Sequence, residues 1–484
     1  MSKKHLSSYL QASPRTLLFY FTVVILLLST VIFSLGFILN NSAILITGSI
    51  ILLVWFIAIF ISVLPQTDTF LSTRLNQLKR GALIIFVFLF VAGLLGAATI
   101  VILVPHVIQD KNISSDLHQL LTGVQRDYGY NDGTTLSQQA VENLLKGQNP
   151  YAHANIIQAL LKYHGTYDRV TPLRTGIFSD VFPYPQDSQL RQLWDKAIQM
   201  PSSVLPEIES RVCYPAASFL LPAPFIFIGI SDIRIVYAIF SLAGLAYAVK
   251  VIPKKKRLLF IGVVLISLEL WNTIFAGGEL SSLCFPFLLV AWLALNRNLW
   301  LSAICMGLAV ATKQTAWFLL PFYLILLFKT QGVKKLLTVL AIIAGIFIIT
   351  NLPFVIADPK LWFSSIISPM MDPMFPTGGG LITLVTSGLF KIQSSLPFTI
   401  LEGIVFIAAI IWYFLYCRRY PQTGPILAII PLFFAWRSMF PYFFYVDIIV
   451  LAYIMVNDDA GRQTILLVDN PTDHEASIPI STAG

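Results

Sequence analysis

Apolar and polar stretches alternate along the 484-residue chain at the scale of a lipid bilayer. A helix of roughly 20 apolar residues is long enough to cross the hydrocarbon core of a membrane. The pattern therefore predicts an all-α polytopic membrane protein with about twelve transmembrane helices. The predicted helices cover residues 17–39, 43–64, 82–104, 232–252, 258–276, 279–296, 299–312, 315–328, 335–356, 397–416, 424–437 and 440–456.

Two polar stretches interrupt the predicted helices, the long loop (105–231) and the second loop (357–396). Loops of more than about 12–15 residues are usually functional or disordered. The long loop is rich in aromatic residues, prolines and acidic residues, a composition that argues against disorder. We expect it to carry amphipathic helices, with the proline-containing apolar segment 214–230 lying in the membrane interface.

Charge distribution gives the expected topology. Only 12% of the residues are charged, whereas soluble domains carry roughly 25%. The basic residues concentrate in short loops between predicted helices, such as 254–257 and 418–419. Because Lys and Arg are retained on the cytoplasmic side, this pattern indicates topology rather than nucleic-acid binding. It places the long loop and the second loop on the extracytoplasmic side.

The chain divides into three regions on this basis. Residues 1–81 add two helices before the main part of the protein, and the first apolar run is too long for a signal peptide. Residues 82–456 form the membrane domain with both polar loops. Residues 457–484 are polar and are expected to form a flexible cytoplasmic tail.

Ionisable side chains within the predicted helices are the first candidates for function, because a charge in the membrane is costly. They are Glu269, Glu279, Lys313, Glu402, Arg437 and Asp447. The predicted topology puts all of them towards the outer helix ends, beside the two polar loops, which favours a polar cavity there. The alternatives are mutual pairing of buried charges and snorkelling of the two cations to lipid headgroups.

Lys313 lies between two short apolar stretches, as at the tip of a helical hairpin that reaches the cavity. A cation in that place suits a phosphate held at the membrane surface, and Arg437 is placed similarly. Asp127 and Asp132 follow the third predicted helix closely, where a carboxylate could act as a general base on a hydroxyl. The pair Asp132-Gly133 is also typical of a simple turn.

Other catalytic patterns are missing from the sequence. It contains no P-loop, no GxGxxG after a strand, no HExxH and no GxSxG. Its six histidines and four cysteines lack the spacing of metal ligands or of a disulfide framework. We therefore expect neither a metal nor a cofactor.

Four stretches carry a resemblance to a known family: 140–151, 213–222, 302–313 and 351–354. Their order and placement resemble the GT-C superfamily of integral-membrane glycosyltransferases, which use polyprenyl-phosphate sugars. The bacterial mannosyltransferase-like branch is the most similar. The resemblance extends over about 82–456.

The resemblance implies a catalytic acidic residue in the long loop, some way before the Gly-x-x-Pro-Tyr element at 147–151. Asp132 fits that place best and Asp127 second. It also implies that Lys313 and Arg437 face the donor phosphate. Many relatives have an aromatic residue soon after the acidic one, whereas Gly133, Thr134 and Thr135 follow Asp132 here.

A second departure concerns Glu279, which stands where relatives often have Gln. It is therefore a second candidate for a catalytic carboxylate or for an acceptor contact. Four tyrosines are candidates for stacking on sugars in the cavity, although aromatic residues also collect at membrane interfaces. They are Tyr128, Tyr151, Tyr214 and Tyr442.

The function implied by the resemblance is transfer of a sugar, with mannose favoured, from a polyprenyl-phosphate donor. The acceptor would be a hydroxyl of a lipid, a glycan or a protein, and the anomeric centre would invert. The expected location is the extracytoplasmic face of a bacterial plasma membrane, with membrane lipid around the helices.

Three other functions are compatible with the sequence. A transporter or lipid flippase would use the same cavity, but transporters usually show paired repeats and broken helices at mid-membrane. A ligase that uses a polyprenyl-diphosphate donor would need more cations for two phosphates. A non-catalytic membrane scaffold is the third alternative.

Overall fold

The computed structural model describes residues 14–39, 41–75, 130–275 and 278–468. Within these ranges the chain is almost entirely helical, and its sheet is one pair of two-residue parallel strands. Asp127, Tyr128 and the predicted helix 82–104 lie outside the described residues.

The N-terminal helices are α1 (Pro14–Ile38), α2 (Ser42–Val63) and α3 (Gln66–Leu75). The described part of the long loop contains α4 (Asp132–Leu145), α5 (Ile156–Lys162), α6 (Asp187–Gln199), α7 (Ala217–Leu220) and α8 (Ala223–Phe227). The next helices are α9 (Ile233–Val251), α10 (Arg257–Ile266), α11 (Leu268–Phe275), α12 (Ser281–Ala294), α13 (Leu299–Thr312) and α14 (Thr315–Gln331). The last are α15 (Val333–Ala357), α16 (Pro359–Met371), α17 (Thr383–Thr386), α18 (Leu396–Tyr416), α19 (Gly424–Phe433) and α20 (Val446–Val468). The strands are β1 (Thr377–Gly378) and β2 (Arg437–Ser438).

Six helical stretches in the described part are long and apolar enough to cross a membrane. They are Leu18–Phe37, Ser42–Val63, Ile233–Val251, Val333–Ala357, Leu396–Tyr416 and Phe440–Asn457. A seventh is present if α10 and α11, which bend by 57° at their junction, are counted as one span. The protein is thus an all-α integral membrane protein. The prediction of about twelve spans stays a prediction.

The shorter apolar helices surround α12, which is buried along its whole length. A helix that is apolar on all sides belongs in the interior of a protein or a membrane. Its neighbours α9, α13 and α20 cover it. Glu279 lies two residues before this central helix. The packing of α12 in the bundle therefore fixes the turn that holds Glu279.

The sequence pattern was wrong at two helix boundaries within the bundle. The predicted helix 258–276 is broken at Ser267, whose ψ of 72° leaves helical geometry. The predicted helix 424–437 ends at Phe433, where the amide of Leu381 donates to the Phe433 carbonyl at 2.8 Å. Arg437 therefore lies in a strand rather than in a transmembrane helix.

Two differences concern the ends of the chain. Helix α20 continues to Val468, so residues 457–468 are helical, and the flexible cytoplasmic tail stays a prediction. At the other end, α3 follows the two predicted helices, and Arg15 of α1 pairs with its Asp68 at 2.8 Å. The α1–α2 pair packs on α20 and other bundle helices, so it belongs to the same folded body.

Helix α6 shows how the long loop folds. It buries Leu190, Leu193 and Ala197, which lie three and four residues apart on one face. The spacing is that of an amphipathic helix. Arg191 and Asp187 form an exposed ion pair on another face, at 2.8 Å.

Candidate functional site

The start of α4 meets the turn before α12. Asn131, the N-cap of α4, donates from its side chain to the Glu279 carboxylate, and the Thr134 hydroxyl donates to the Gly278 carbonyl. These two bonds bring the long loop onto the central helix. As a result Asp132 and Glu279 lie close enough to repel each other electrostatically.

Asp132 occupies the first turn of α4, so the predicted turn at Asp132-Gly133 is a helix start. One carboxylate oxygen accepts from the Gly133 amide at 2.7 Å, and the other accepts from the Thr171 hydroxyl. The positive end of the helix dipole stabilises a negative charge at this position. Because Asp132 is only half-buried, an incoming hydroxyl can reach it.

Lys313 caps the end of α13, between two short helices as expected. Its ammonium group donates to the Ser281 hydroxyl at 2.7 Å and lies 5.7 Å from the ring centres of Tyr214 and Tyr442. Its side chain is 5% exposed and is attracted by Glu279. None of its described direct contacts carries a full negative charge, so the ammonium group can accept an anion.

Arg437 is held by its backbone in β2, opposite Thr377 of β1. Its guanidinium acts electrostatically on Tyr442 and on Tyr184 of the long loop. Burial raises the pKa of Tyr184, with Arg437 opposing the rise and Asp132 adding to it. Tyr184 therefore lies near both the predicted phosphate ligand and the predicted base.

Tyr214 forms a further wall of the cluster. A Cβ atom on Gly133 would lie 2.9 Å from the Tyr214 hydroxyl, so the phenol stands directly beside the start of α4. Tyr151 is different, because it is 3% exposed and donates to the Tyr214 carbonyl at 2.9 Å. The structure places Tyr151 behind the cluster as a support for Tyr214, rather than on its surface.

The site cluster is thus defined by half-buried or buried side chains from separate parts of the chain. It consists of Asp132, Tyr184, Tyr214, Glu279, Lys313, Arg437 and Tyr442. It combines two carboxylates, two cations and three phenols. Such a set can bind an anion at one end and accept a proton at the other.

Asp447 lies apart from this cluster, although it was predicted with the same group of charges. It is 1% exposed and accepts from the Thr22 hydroxyl at 2.7 Å and from the Trp55 indole at 3.0 Å. Its contacts therefore join α20 to the N-terminal helix pair. Glu269 is also buried and lies near Glu279.

Sequence reasoning missed a group of residues that joins the two polar loops behind Asp132. Arg211 donates to the Asp372 carboxylate, and the amide of Glu209 donates to the Thr171 carbonyl at 3.0 Å. Burial, and then the hydrogen-bonded Asp372, raise the pKa of Glu209 to about 8. Residues of this group are far apart in sequence, so no local pattern indicated them.

A separate polar cavity of about 330 Å³ lies between α4 and α5, and none of the predicted site residues lines it. Its walls include Glu142, whose pKa is lowered by Lys162 and Tyr163 against the effect of burial. Within the described ranges, no group of three or more His, Cys, Asp and Glu side chains could hold a metal ion.

Comparisons with family models, with curated proteins and with solved structures found no match. The four stretches that carry the family resemblance nevertheless contact one another. Tyr151 bonds the Tyr214 carbonyl, and the Asn351 side chain accepts from the Ala216 amide at 3.0 Å. Gln314, next to Lys313, donates to the Cys213 carbonyl. Stretches spread over the sequence therefore meet around one cluster.

Proposed function

We propose that this protein is a membrane glycosyltransferase that moves a sugar from a polyprenyl monophosphate to an acceptor hydroxyl. The observation that carries the proposal is the geometry of the site cluster. It places Asp132, at a helix start, beside Glu279, which in turn attracts the buried Lys313. A transfer of this kind needs a base for the hydroxyl and cations for the leaving phosphate, and the cluster offers both.

Asp132 is the proposed general base. The acceptor oxygen attacks the anomeric carbon while its proton passes to the Asp132 carboxylate, and inversion follows from attack opposite the leaving group. The hydroxyl of Thr171 orients the carboxylate. A well-placed base contributes typically about 10²–10⁴-fold to the rate.

Lys313 and Arg437 are the proposed ligands of the leaving phosphate. The bond from the anomeric carbon to the phosphate oxygen breaks, and its electron pair leaves with the phosphate. Cations that face the growing charge stabilise the transition state more than the ground state. Two cations suit a monophosphate, so the proposal requires neither a metal nor a diphosphate donor.

Glu279 and the tyrosines complete the proposed substrate site. Glu279 accepts from Asn131 beside the base, where it can also accept from a second hydroxyl of the acceptor. The rings of Tyr214 and Tyr442 flank Lys313 and offer faces on which a sugar can stack. Mannose is favoured as the sugar, and a lipid, a glycan or a protein as the acceptor.

We further propose that about twelve helices span a bacterial plasma membrane, with the site on the extracytoplasmic side. The short apolar helices α12, α13 and α14 support this count, because helices that end at a protein-lined cavity need not reach full length. The basic loop before α10 would then face the cytoplasm.

One observation favours a transporter as the second candidate. Helices α10 and α11 form a broken pair bent by 57°, and discontinuous helices are frequent at transport sites. Glu269 lies just after the break and near Glu279. A transporter would carry its substrate across proteoliposomes without forming a new glycosidic bond.

The test is transfer of radiolabelled mannose from synthetic polyprenyl-phosphate mannose to a membrane lipid extract. Purified wild type should transfer sugar, and Asp132→Asn should lose roughly 10²–10⁴-fold of the rate. Asp187→Asn is the matched control, because Asp187 also lies in the first turn of a long-loop helix but is exposed.

Transfer by Asp132→Asn at the wild-type rate would reject Asp132 as the base. No transfer by wild type from a panel of polyprenyl-phosphate sugars, together with substrate flux in proteoliposomes, would reject the enzyme in favour of the transporter.

A further inference from the structure

We propose that the N-terminal helix pair sets the position of Arg437, and that Ser49 of α2 is the positioning residue. The sequence assigns α1 and α2 no role, since they precede the region of family resemblance. The ligand named for Arg437 rests on the proposed function. The effect of Ser49 on the position of Arg437 is argued only from hydrogen bonds, strand pairing and ring contacts, and it does not depend on that ligand.

Ser49 bonds the glycine segment (378–380) directly. Its hydroxyl lies 2.6 Å from the Gly379 carbonyl and 2.8 Å from the Gly380 carbonyl, and the residue is 8% exposed. The surrounding face of α2 is apolar, with Leu52, Trp55 and Phe56 buried. The single hydroxyl proton of Ser49 is shared between the two carbonyls in largely buried surroundings, and this bond holds the segment on α2.

The glycine segment in turn fixes the strand that carries Arg437. Gly378 pairs with Ser438, and the Gly379 amide donates to the Ser438 carbonyl at 2.9 Å. A Cβ on Gly378 would lie 1.9 Å from the Ser438 carbonyl oxygen, and its φ of +116° also favours glycine. A Cβ on Gly380 would lie 2.1 Å from the Phe433 carbonyl oxygen. The two backbones therefore pack without intervening side chains.

Aromatic contacts hold both flanks of Arg437 on the same helix pair. Phe440 packs on Phe33 of α1 with ring centres 5.3 Å apart. On the other flank, Phe433 packs on Phe56 of α2 at 5.6 Å. The backbone on either side of Arg437 is thus held by α1 and α2, and its guanidinium extends towards Tyr442 and Tyr184.

Loss of the Ser49 hydroxyl leaves the Gly379 carbonyl without its described donor, whereas the Gly380 carbonyl keeps the Thr383 amide at 3.0 Å, and it loosens the glycine segment. A misplacement of a binding group by about 1 Å can cost up to 10²-fold in rate. Because pairing with β1 remains, we expect a smaller effect, about 3- to 10-fold on phosphate binding, the size of one hydrogen bond.

The experiment compares Ser49→Ala with Ser62→Ala in lipid nanodiscs. Ser62 is a matched control, because it is a fully buried serine of the same helix whose hydroxyl bonds within α2, to the Ala58 carbonyl. Hydrogen exchange is measured by mass spectrometry on peptides covering 377–380 and 436–440. Binding of farnesyl monophosphate is measured by titration calorimetry.

Ser49→Ala should speed exchange in both peptides and weaken farnesyl monophosphate about 3- to 10-fold, while Ser62→Ala matches wild type. Unchanged exchange in Ser49→Ala would overturn the proposal, and so would equal acceleration in both variants. If wild type does not bind farnesyl monophosphate, the proposed function fails, and the exchange data alone decide the role of Ser49.

A double variant shows whether Ser49 acts through Arg437. When Arg437→Gln is already present, adding Ser49→Ala should weaken farnesyl monophosphate no further, because the positioned side chain is gone. When Lys313→Gln is present instead, the loss from Ser49→Ala should persist in full. A further loss in the Arg437→Gln protein would overturn the assignment.

Discussion

Lys313 and Asp447 are both buried ionisable residues at ends of apolar helices, yet their surroundings differ. Asp447 accepts hydrogen bonds from two neutral donors and is sealed from outside. Lys313 has a hydroxyl and two ring faces as direct contacts, and it borders half-buried residues of the site cluster. Asp447 thus has its described contacts satisfied by donors, whereas Lys313 has a single hydrogen-bond acceptor among its described contacts, which makes Lys313 the better candidate for binding a ligand.

The largest difference between the two residues should appear in activity. Lys313→Gln removes a cation that faces the proposed leaving phosphate, so transfer should fall by about 10²–10³-fold. The substitution also leaves the buried Glu279 without the cation that attracts it, so the folded protein should lose some stability, and transfer is compared per folded molecule. Steady-state transfer and thermal unfolding are measured on the same preparation. A variant with wild-type transfer would show that Lys313 is structural, as Asp447 is.

For Asp447→Asn we expect a moderate loss of stability and little change in transfer. The amide can accept only through one oxygen, so one of the two donors loses its bond to residue 447, and Thr22 keeps the Phe19 carbonyl as an acceptor at 2.9 Å. Loss of one buried hydrogen bond costs about 0.5–1.5 kcal/mol of stability. Thermal unfolding in detergent should show this loss, while transfer per folded molecule changes by only a few-fold. A large loss of transfer at unchanged stability would contradict the comparison.

The last expected effect concerns stability alone and is a pH dependence at the junction of the two polar loops. The pKa of Glu209 is raised to about 8 from an ordinary 4.5 by burial and by Asp372, with Arg211 opposing. The folded state therefore holds a proton that the unfolded state releases. Its contribution to stability is complete below pH 4.5 and is lost as pH rises through about 8.

Unfolding temperatures measured from pH 5 to 9 test whether stability falls as pH rises. Wild type should lose stability towards pH 9, and Glu209→Gln, which keeps a neutral group of similar shape, should show a flatter profile. Profiles of the same shape in wild type and Glu209→Gln would show that Glu209 is ionised throughout this pH range.

The pattern of apolar residues predicted the positions of the long helices well, but it did not predict where helices break or end early. The predicted helix 299–312 matches α13, and the bounds of α2, α9 and α15 agree within two residues. These helices follow from continuous apolar runs, which are a local signal. The end of α19 could not be predicted in this way, because the amide that captures the Phe433 carbonyl belongs to Leu381, 52 positions earlier.

In the candidate site, too, the residues with a local sequence signal were predicted, and those defined by distant contacts were not. Asp132, Glu279 and Lys313 were found from charges in apolar surroundings and from the order of loose motifs, and the structure brings them together. Thr171 and Ser49 were missed, because a hydroxyl carries no signal until its acceptor is known. Those acceptors lie 39 positions from Thr171 and 330 or 331 positions from Ser49.

The glycine segment has a consequence for recognising distant relatives of this chain. Gly378 and Gly380 are required by the approach of two backbones, and that requirement does not depend on any substrate. Residues that touch a substrate change when specificity diverges, and under the proposed function Tyr214 and Glu279 are such residues. Three glycines followed at a distance by Arg-Ser before a Phe-Pro-Tyr turn should therefore be a more durable signature of common ancestry than the carboxylates.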